Sequence, residues 1–99
     1  MQTDIIEMQL EAFKREQNEC LKLYVTKNRE YNGSFYENDL TAAYYDMRRK
    51  WIRIQNLIGP DKIKDVKEDI LVELVVEQLR DIANYAVMTS TKITKQKGC

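Results

Sequence analysis

The stretch "ILVELVVEQLRDIANYAVM", residues 70–88, predicts a helix with apolar side chains around most of its circumference. A helix of this kind is expected to be central and buried among other elements. A capping box of Asp65 and Glu68 is expected to open it, and it should run to about Thr91. We therefore looked in the rest of the chain for the elements that would cover this third helix.

The first covering element is a helix predicted from Asp4 to about Asn28, with Thr3 as its N-cap. Its seam positions follow a heptad-like spacing, with one polar residue among them: Ile6, Leu10, Phe13, Gln17, Cys20 and Tyr24. Such a narrow stripe can pack against a neighbouring helix or against a second copy of the chain.

The second covering element is a helix predicted from a cap at Asn38 or Asp39 to about Ile58. Its apolar positions alternate in steps of four and three: Leu40, Tyr44, Met47, Trp51, Ile54 and Ile58. Gly59 and Pro60 should end it, because glycine suits the left-handed residue after a helix and proline cannot continue one.

The composition fits one small all-α domain over residues 1–92, with a flexible tail at 93–99. We expect three main helices in an antiparallel bundle that is completed by homo-oligomerisation, because 99 residues bury a modest core alone. Sixteen basic residues balance sixteen acidic ones, so no strong attraction to nucleic acid is expected. No apolar stretch approaches the ~18 residues of a membrane span, which predicts a cytoplasmic protein. The absence of histidine excludes Ser-His-Asp and Cys-His catalysis.

An acidic stripe is predicted on the third helix, where steps of four, four and three place four polar residues on one face: Glu73, Glu77, Asp81 and Asn84. One interpretation pairs the stripe with the densest group of cations in the chain: Arg48, Arg49, Lys50 and Arg53. The other uses Glu77 and Asp81 as ligands for Mg²⁺, which prefers carboxylate oxygens. Both hold if one cleft contains a metal beside the carboxylates and a phosphate beside a pair of cations, either Lys50 with Arg53 or Arg49 with Arg53.

The segment between the first two helices is predicted to be a loop with a turn at Asn32-Gly33. It offers cations, amides and aromatic rings suited to a base or a sugar: Lys27, Asn28, Tyr31, Asn32, Ser34 and Phe35. The alternative is a packed turn with solvated polar residues.

Three blocks in this order and spacing resemble a known family: "KNREYNGSF" (27–35), "RRKWIRIQNL" (48–57) and "EQLRDIANYAVM" (77–88). The chain is similar over residues 27–90 to the small all-α family called nucleotide modification associated domain type 1. That family occurs in phages and bacteria and is distantly similar to the MazG-type nucleoside triphosphate pyrophosphohydrolases. The third block is the most specific, because its Asp-Ile-Ala-Asn-Tyr run resembles the "DLANYA" ending of the family.

The resemblance implies a nucleotide ligand, with binding residues in all three blocks: Lys27, Asn28, Tyr31, Lys50, Arg53, Asn84 and Tyr85. In a hydrolytic form of this hypothesis, Glu77 and Asp81 hold Mg²⁺ and Glu73 acts as the catalytic residue that orients water or metal. MazG-type enzymes carry an E-x-x-E pair that the second helix lacks, so the resemblance implies a nucleotide more strongly than a reaction. Two alternatives stay open: a non-catalytic phage-type protein that sequesters a nucleotide signal, and a helical interaction module without a ligand.

Overall fold

The computed structural model of the protein describes residues 2–30, 40–59 and 66–96. Within them the chain forms three α-helices and no strand: α1 (Gln2–Glu30), α2 (Leu40–Ile58) and α3 (Asp69–Gln96). Helix α3 packs against both of the others, and its larger interface is with α2. The prediction of an all-α fold with three main helices and bundle-like packing is confirmed. A search of the described helices found none with the length and apolar character needed to cross a membrane.

Helix α1 extends further than the sequence predicts at both ends. It already includes Thr3, so the prediction of Thr3 as N-cap was wrong. It ends at Glu30, so Lys27 and Asn28 lie in its last turns and the prediction that they belong to a loop was also wrong. Lys27 and Arg29 place positive charge at the negative end of the helix dipole, which favours this longer helix. Several positions with predicted roles in the following loop lie outside the described residues: Tyr31, Asn32, Gly33, Ser34, Phe35, Asn38 and Asp39.

Helix α2 ends where the sequence predicts. Gly59 follows Ile58 and has a positive φ of 74°, a conformation that glycine adopts without the strain of a side chain. Its N–H donates a hydrogen bond to the carbonyl of Gln55 at 2.8 Å, which satisfies a carbonyl of the last turn. The predicted stop signal at Gly59 is therefore confirmed.

The buried face of α2 is rotated away from part of the predicted stripe. Ala43 and Lys50 are buried, whereas the predicted positions Tyr44 and Trp51 are exposed. Ile54 is buried as predicted. Lys50 can lie inside because its ammonium group has a carboxylate partner on α3, as described below, and this pairing accounts for the rotation.

Helix α3 begins later than predicted. It starts at Asp69, and the first helical hydrogen bond from Val72 N–H goes to the carbonyl of Glu68 at 2.8 Å. Glu68 is therefore the residue that precedes the helix, and a capping box with Glu68 inside the first turn was wrong. Asp65 lies outside the described residues.

Helix α3 also continues to Gln96, five residues beyond the predicted end at Thr91. Three threonine hydroxyls in this part donate to carbonyls four residues earlier: Thr89 to Tyr85, Thr91 to Val87 and Thr94 to Ser90, at 2.6–3.0 Å. These side chains satisfy their own polar groups against the helix and do not compete with it as a loop would. Residues 93–96 of the predicted tail are thus helical, and 97–99 lie outside the described residues.

The apolar core is small. Within the described residues, the buried hydrophobic side chains are Ala43, Ile54 and Val75, all at the α2–α3 interface or beside it. The prediction that α3 is buried around most of its circumference was wrong, because Ile70 and Val87 are 73% and 66% exposed. The contacts of α1 and α2 within one copy leave these parts of α3 uncovered.

Candidate functional site

The buried charge of α3 is Asp81, whose side chain is 3% exposed. Its carboxylate meets one lysine from each of the other helices. Lys27 of α1 donates a hydrogen bond from Nζ to Oδ1 at 2.8 Å, and Nζ of Lys50 on α2 lies 3.0 Å from Oδ2. Asp81 therefore links all three helices through charge.

The two lysines differ in their access to solvent. Lys50 is 7% exposed, and such a buried ammonium group requires a nearby carboxylate. The Lys27 side chain is 36% exposed. Because two ammonium groups face one carboxylate, the trio carries one net positive charge, and Lys27 brings part of that charge to the surface.

Two buried acceptors on α3 lack a directed donor within the described residues. The contact of Lys50 with Asp81 Oδ2 is an ion pair at 3.0 Å without hydrogen-bond geometry, so Oδ2 accepts no directed hydrogen bond. Gln78, one turn earlier and 8% exposed, has the same deficit at Oε1. Buried acceptors are normally satisfied, and Asp81 Oδ2 has an electrostatic partner in Lys50, so Gln78 Oε1 is the buried acceptor of α3 that lacks a partner among the described residues. Sequence reasoning missed Gln78, although a polar residue inside an apolar run was a usable signal.

Tyr85 lies half-buried beside these charges. Burial raises the pKa of its phenol, the negative charges of Asp46 and Asp81 raise it further, and the positive charges of Arg49 and Lys27 partly oppose the shift. Arg49 also forms an ion pair with Asp46 on its own helix at 3.1 Å. The tyrosine hydroxyl thus stays protonated and able to donate. We call Lys27, Lys50, Asp81 and Tyr85 the Asp81 cluster.

Other predicted site residues lie elsewhere. Asn84 donates a hydrogen bond from Nδ2 to the carbonyl of Cys20 at 2.9 Å and so connects α3 to α1. Asn28 is half-buried in the last turn of α1. The remaining predicted positions on the helices have exposed side chains: Arg53, Glu73 and Glu77. Tyr31 lies outside the described residues.

The four cations of α2 do not all reach the acidic stripe. Lys50 pairs with Asp81 on α3, whereas Arg49 pairs with Asp46 on α2 itself. Arg48 and Arg53 are exposed and form no ion pair with any described residue. The second partner of Asp81 is Lys27 from α1, which the ion-pairing interpretation did not include.

The magnesium hypothesis can be compared with this geometry. Mg²⁺ needs several oxygen ligands, but both oxygens of Asp81 lie beside ammonium groups and Glu77 is exposed. Over residues 2–30, 40–59 and 66–96, no three side chains of histidine, cysteine, aspartate or glutamate gather in a metal-binding arrangement. Because two ammonium groups already face Asp81, the charge around this carboxylate favours an anion over a cation.

A second feature is an apolar groove of about 710 Å³ between α1 and α3. It extends from Phe13 to Tyr24 on α1 and from Leu79 to Thr91 on α3. Arg80 joins its two walls by donating to both carboxylate oxygens of Glu16, at 2.7 and 3.0 Å. We refer to this feature as the α1–α3 groove.

Cys20 lies in the α1–α3 groove as a free thiol. Its pKa is raised, first by burial and then by the negative charge of nearby Glu16. The thiol is therefore protonated at neutral pH.

Comparisons of the chain with models of protein families, with curated proteins and with solved structures found no match. The resemblance to the nucleotide modification associated domain thus stays a prediction from the three sequence blocks. The geometry of the Asp81 cluster is an independent ground for assigning a function.

Proposed function

We propose that the protein binds a phosphate-bearing ligand of the nucleotide class at the Asp81 cluster. The observation that carries this proposal is the convergence of Lys27 and Lys50 on one buried carboxylate. Each ammonium group has three donors, so one carboxylate cannot use them all. Phosphate oxygens are suited to the remaining donors and to the net positive charge.

The nucleotide class is supported by the origin of these residues in the sequence. Each of the three blocks that carry the family resemblance contributes to the cluster: Lys27 from the first, Lys50 from the second, and Asp81 with Tyr85 from the third. Packing of three helices does not by itself require these blocks to meet at a charged point. A shared ligand site gives a reason for their convergence.

Each member of the cluster has a distinct part in this proposal. Lys27 and Lys50 contact the phosphate, and Asp81 holds their ammonium groups in place. Tyr85 offers a ring face to the base or the sugar.

Binding without hydrolysis is the form of the proposal that the geometry favours, which corresponds to a protein that sequesters a nucleotide. Hydrolysis would require Mg²⁺ to compete with two ammonium groups for Asp81, with Glu77 as a further ligand and Glu73 as the catalytic residue. The lack of an E-x-x-E pair on α2 also argues for binding without hydrolysis.

Calorimetric titration with inorganic phosphate and a panel of nucleoside mono-, di- and triphosphates tests the proposal. We expect saturable binding of at least one nucleotide, with the ligand recovered intact after long incubation with Mg²⁺ or Mn²⁺. A product that forms only with the metal and disappears in the Asp81→Asn variant would show that the protein hydrolyses the nucleotide and does not only sequester it. No binding heat and no rise in melting temperature with any nucleotide would leave the alternative of an interaction module.

We also propose that the protein works as a homo-oligomer. Large apolar side chains are exposed on all three helices, including Phe13 on α1, Trp51 on α2 and Val87 on α3. Monomeric soluble proteins rarely expose extended apolar patches. Light scattering should give a mass of at least twice 11.8 kDa, and a concentration-independent monomer would contradict this part.

A further inference from the structure

The α1–α3 groove has apolar walls but is spanned mainly by polar contacts. Glu16 and Arg80 pair across it, and Asn84 binds the Cys20 carbonyl. Phe13, in the wall of α1, remains 62% exposed. Polar side chains thus join α1 to α3, while much of the apolar stripe of α1 stays exposed in one copy.

We infer that the α1–α3 groove is filled by helix α1 of a second copy of this chain, packed antiparallel to the first α1. The two α1 helices and the two α3 helices then form one continuous layer around a twofold axis. This inference deepens the homo-oligomer of the proposed function by naming its surface and its orientation.

The face of α1 that lines the groove continues beyond it. At 100° per residue, the exposed side chains Ile6 and Leu10 share the face of the groove residues Phe13, Gln17 and Leu21. The stripe is therefore longer than the groove of one copy. A second α1 of the same length can cover its whole extent.

Helix dipoles favour the antiparallel orientation. In an antiparallel pair the positive N-terminus of each α1 lies beside the negative C-terminus of the other, whereas a parallel pair would place like ends together. The charged side chains Asp4, Glu11, Lys22 and Arg29 lie on the side of α1 opposite the apolar stripe, so they stay at the surface of either pair. In the antiparallel pair Gln17 falls at the twofold axis.

The apolar area available matches a small stable interface. Each copy offers about five large exposed side chains at roughly 100 Å² each, which gives roughly 1,000 Å² over two copies, enough for a small specific interface. Four of these belong to the groove or its extension on α1 and one to α3: Ile6, Leu10, Phe13, Leu21 and Val87. The chain has zero formal net charge, so two copies do not repel each other over long distances.

A second copy in this position also affects the Asp81 cluster, a consequence that rests on the proposed function. Lys27 lies on α1 and reaches Asp81 only if α1 stays against α3. Packing of the second α1 holds the first α1 against α3 and so keeps Lys27 at the carboxylate. Dimerisation then stabilises the anion site that one copy already forms.

Single-cysteine cross-linking in a Cys20→Ser, Cys99→Ser background tests the orientation without any nucleotide. Three variants carry the cysteine at the start, the middle and the end of the stripe: Leu10→Cys, Gln17→Cys and Tyr24→Cys. Antiparallel packing predicts that a short bismaleimide links Gln17→Cys to itself, and links Leu10→Cys to Tyr24→Cys in a mixture of the two. Self-linking of all three would show parallel packing, and no linking would exclude α1 from the interface; either result overturns the inference.

Sedimentation of paired acidic variants tests the surface independently. Phe13→Asp should reduce the dimer fraction at least tenfold, because it places a charge inside the contact. Ile52→Asp introduces the same charge at an exposed apolar position of α2 and should leave the dimer unchanged. Circular dichroism verifies that both variants stay helical, and the cross-linking decides the question if Phe13→Asp unfolds. Equal dissociation by both variants, or a monomeric unmodified protein, would overturn the inference. Nucleotide binding is measured by calorimetry, so a failure of the proposed function can be told apart from a failure of the dimer.

Discussion

The two interfaces of α3 distribute polar and apolar groups in opposite ways. Its interface with α2 is closed, and there the chain buries an ion pair between Lys50 and Asp81 beside Ile54 and Val75. Its interface with α1 is open, and there the apolar walls of the α1–α3 groove are exposed while polar groups make the contacts. Apolar residues could replace a buried ion pair with little loss of stability, and monomers rarely expose an extended apolar surface, so we place the proposed ligand at the first interface and the proposed partner at the second.

Removing the buried charge should have the largest effect. Asp81→Ala leaves Lys50 buried without a partner, and we expect the free energy of unfolding to fall by about 3–5 kcal/mol in a denaturant titration. Glu77→Ala, one turn away on an exposed position, should change it by less than about 0.5 kcal/mol. Addition of Lys50→Met to Asp81→Ala should restore most of the loss. A loss below about 1 kcal/mol in Asp81→Ala would show that the closed interface does not depend on its ion pair.

The second prediction tests whether the positive charge of the Asp81 cluster binds a ligand. Lys27→Ala should weaken nucleotide binding by about 1.5–3 kcal/mol in calorimetry, as expected for loss of a charge-assisted hydrogen bond. Lys22→Ala is the matched control, since Lys22 is an exposed lysine of the same helix that pairs with Glu19. Equal losses in the two variants would indicate general charge attraction and not a defined site.

The third prediction concerns the polar attachment of α1. Asn84→Ala removes the hydrogen bond to the Cys20 carbonyl and should lower the free energy of unfolding by about 0.5–1.5 kcal/mol. Amide hydrogen exchange should speed up in α1 more than in α2, because the lost bond joins α3 to α1. Asn56→Ala, at an exposed position of α2, is the control and should have no such effect. Equal acceleration in α1 and α2 would mean that the two interfaces open together.

The smallest effect is expected at the rim of the α1–α3 groove. Hydrogen bonds from Arg80 hold the pKa of Glu16 below its ordinary value of 4.5, so the folded state favours the ionised carboxylate. The stabilisation is present above pH 4.5 and is lost as the pH falls through the lowered pKa. Because the Glu16 side chain is 57% exposed, we expect less than about 1 kcal/mol.

The measurement for this last pair compares melting temperatures of the unmodified protein and Glu16→Gln at pH 7 and pH 3. The difference should be larger at pH 7 than at pH 3, because Glu16 loses its charge as the pH falls through its lowered pKa. High salt should also reduce it. An equal difference in melting temperature at pH 7 and pH 3 would mean that packing, and not charge, holds the two walls of the groove together.

The sequence predicts where a helix ends better than it predicts which side chains the helix buries. The stop at Gly59 depends on local chemistry, so it is found correctly. The buried face of α2 depends on a partner on another helix, and apolar periodicity selected Tyr44 and Trp51 where the structure buries Ala43 and Lys50. Periodicity counts apolar residues and cannot anticipate a lysine that is buried because it is paired.

The same reasoning applies to the candidate site. The stripe and the family resemblance both selected Asp81 and Lys50 as site residues, and these two meet in space. The contact of Lys27 with Asp81 joins residues 54 positions apart, and the sequence placed Lys27 in a loop. Because no local pattern records such a distant pairing, the sequence could propose the participants but not their arrangement.

Cys20 provides a chemical probe of the interface between α1 and α3. Thiols react with alkylating reagents as thiolates, and the raised pKa of Cys20 keeps the thiolate fraction low while α1 lies against α3. Departure of α1 from α3 would expose the thiol and remove the cause of the shift. In a Cys99→Ser variant, the rate at which Cys20 is alkylated at constant pH would therefore report how often α1 detaches from α3.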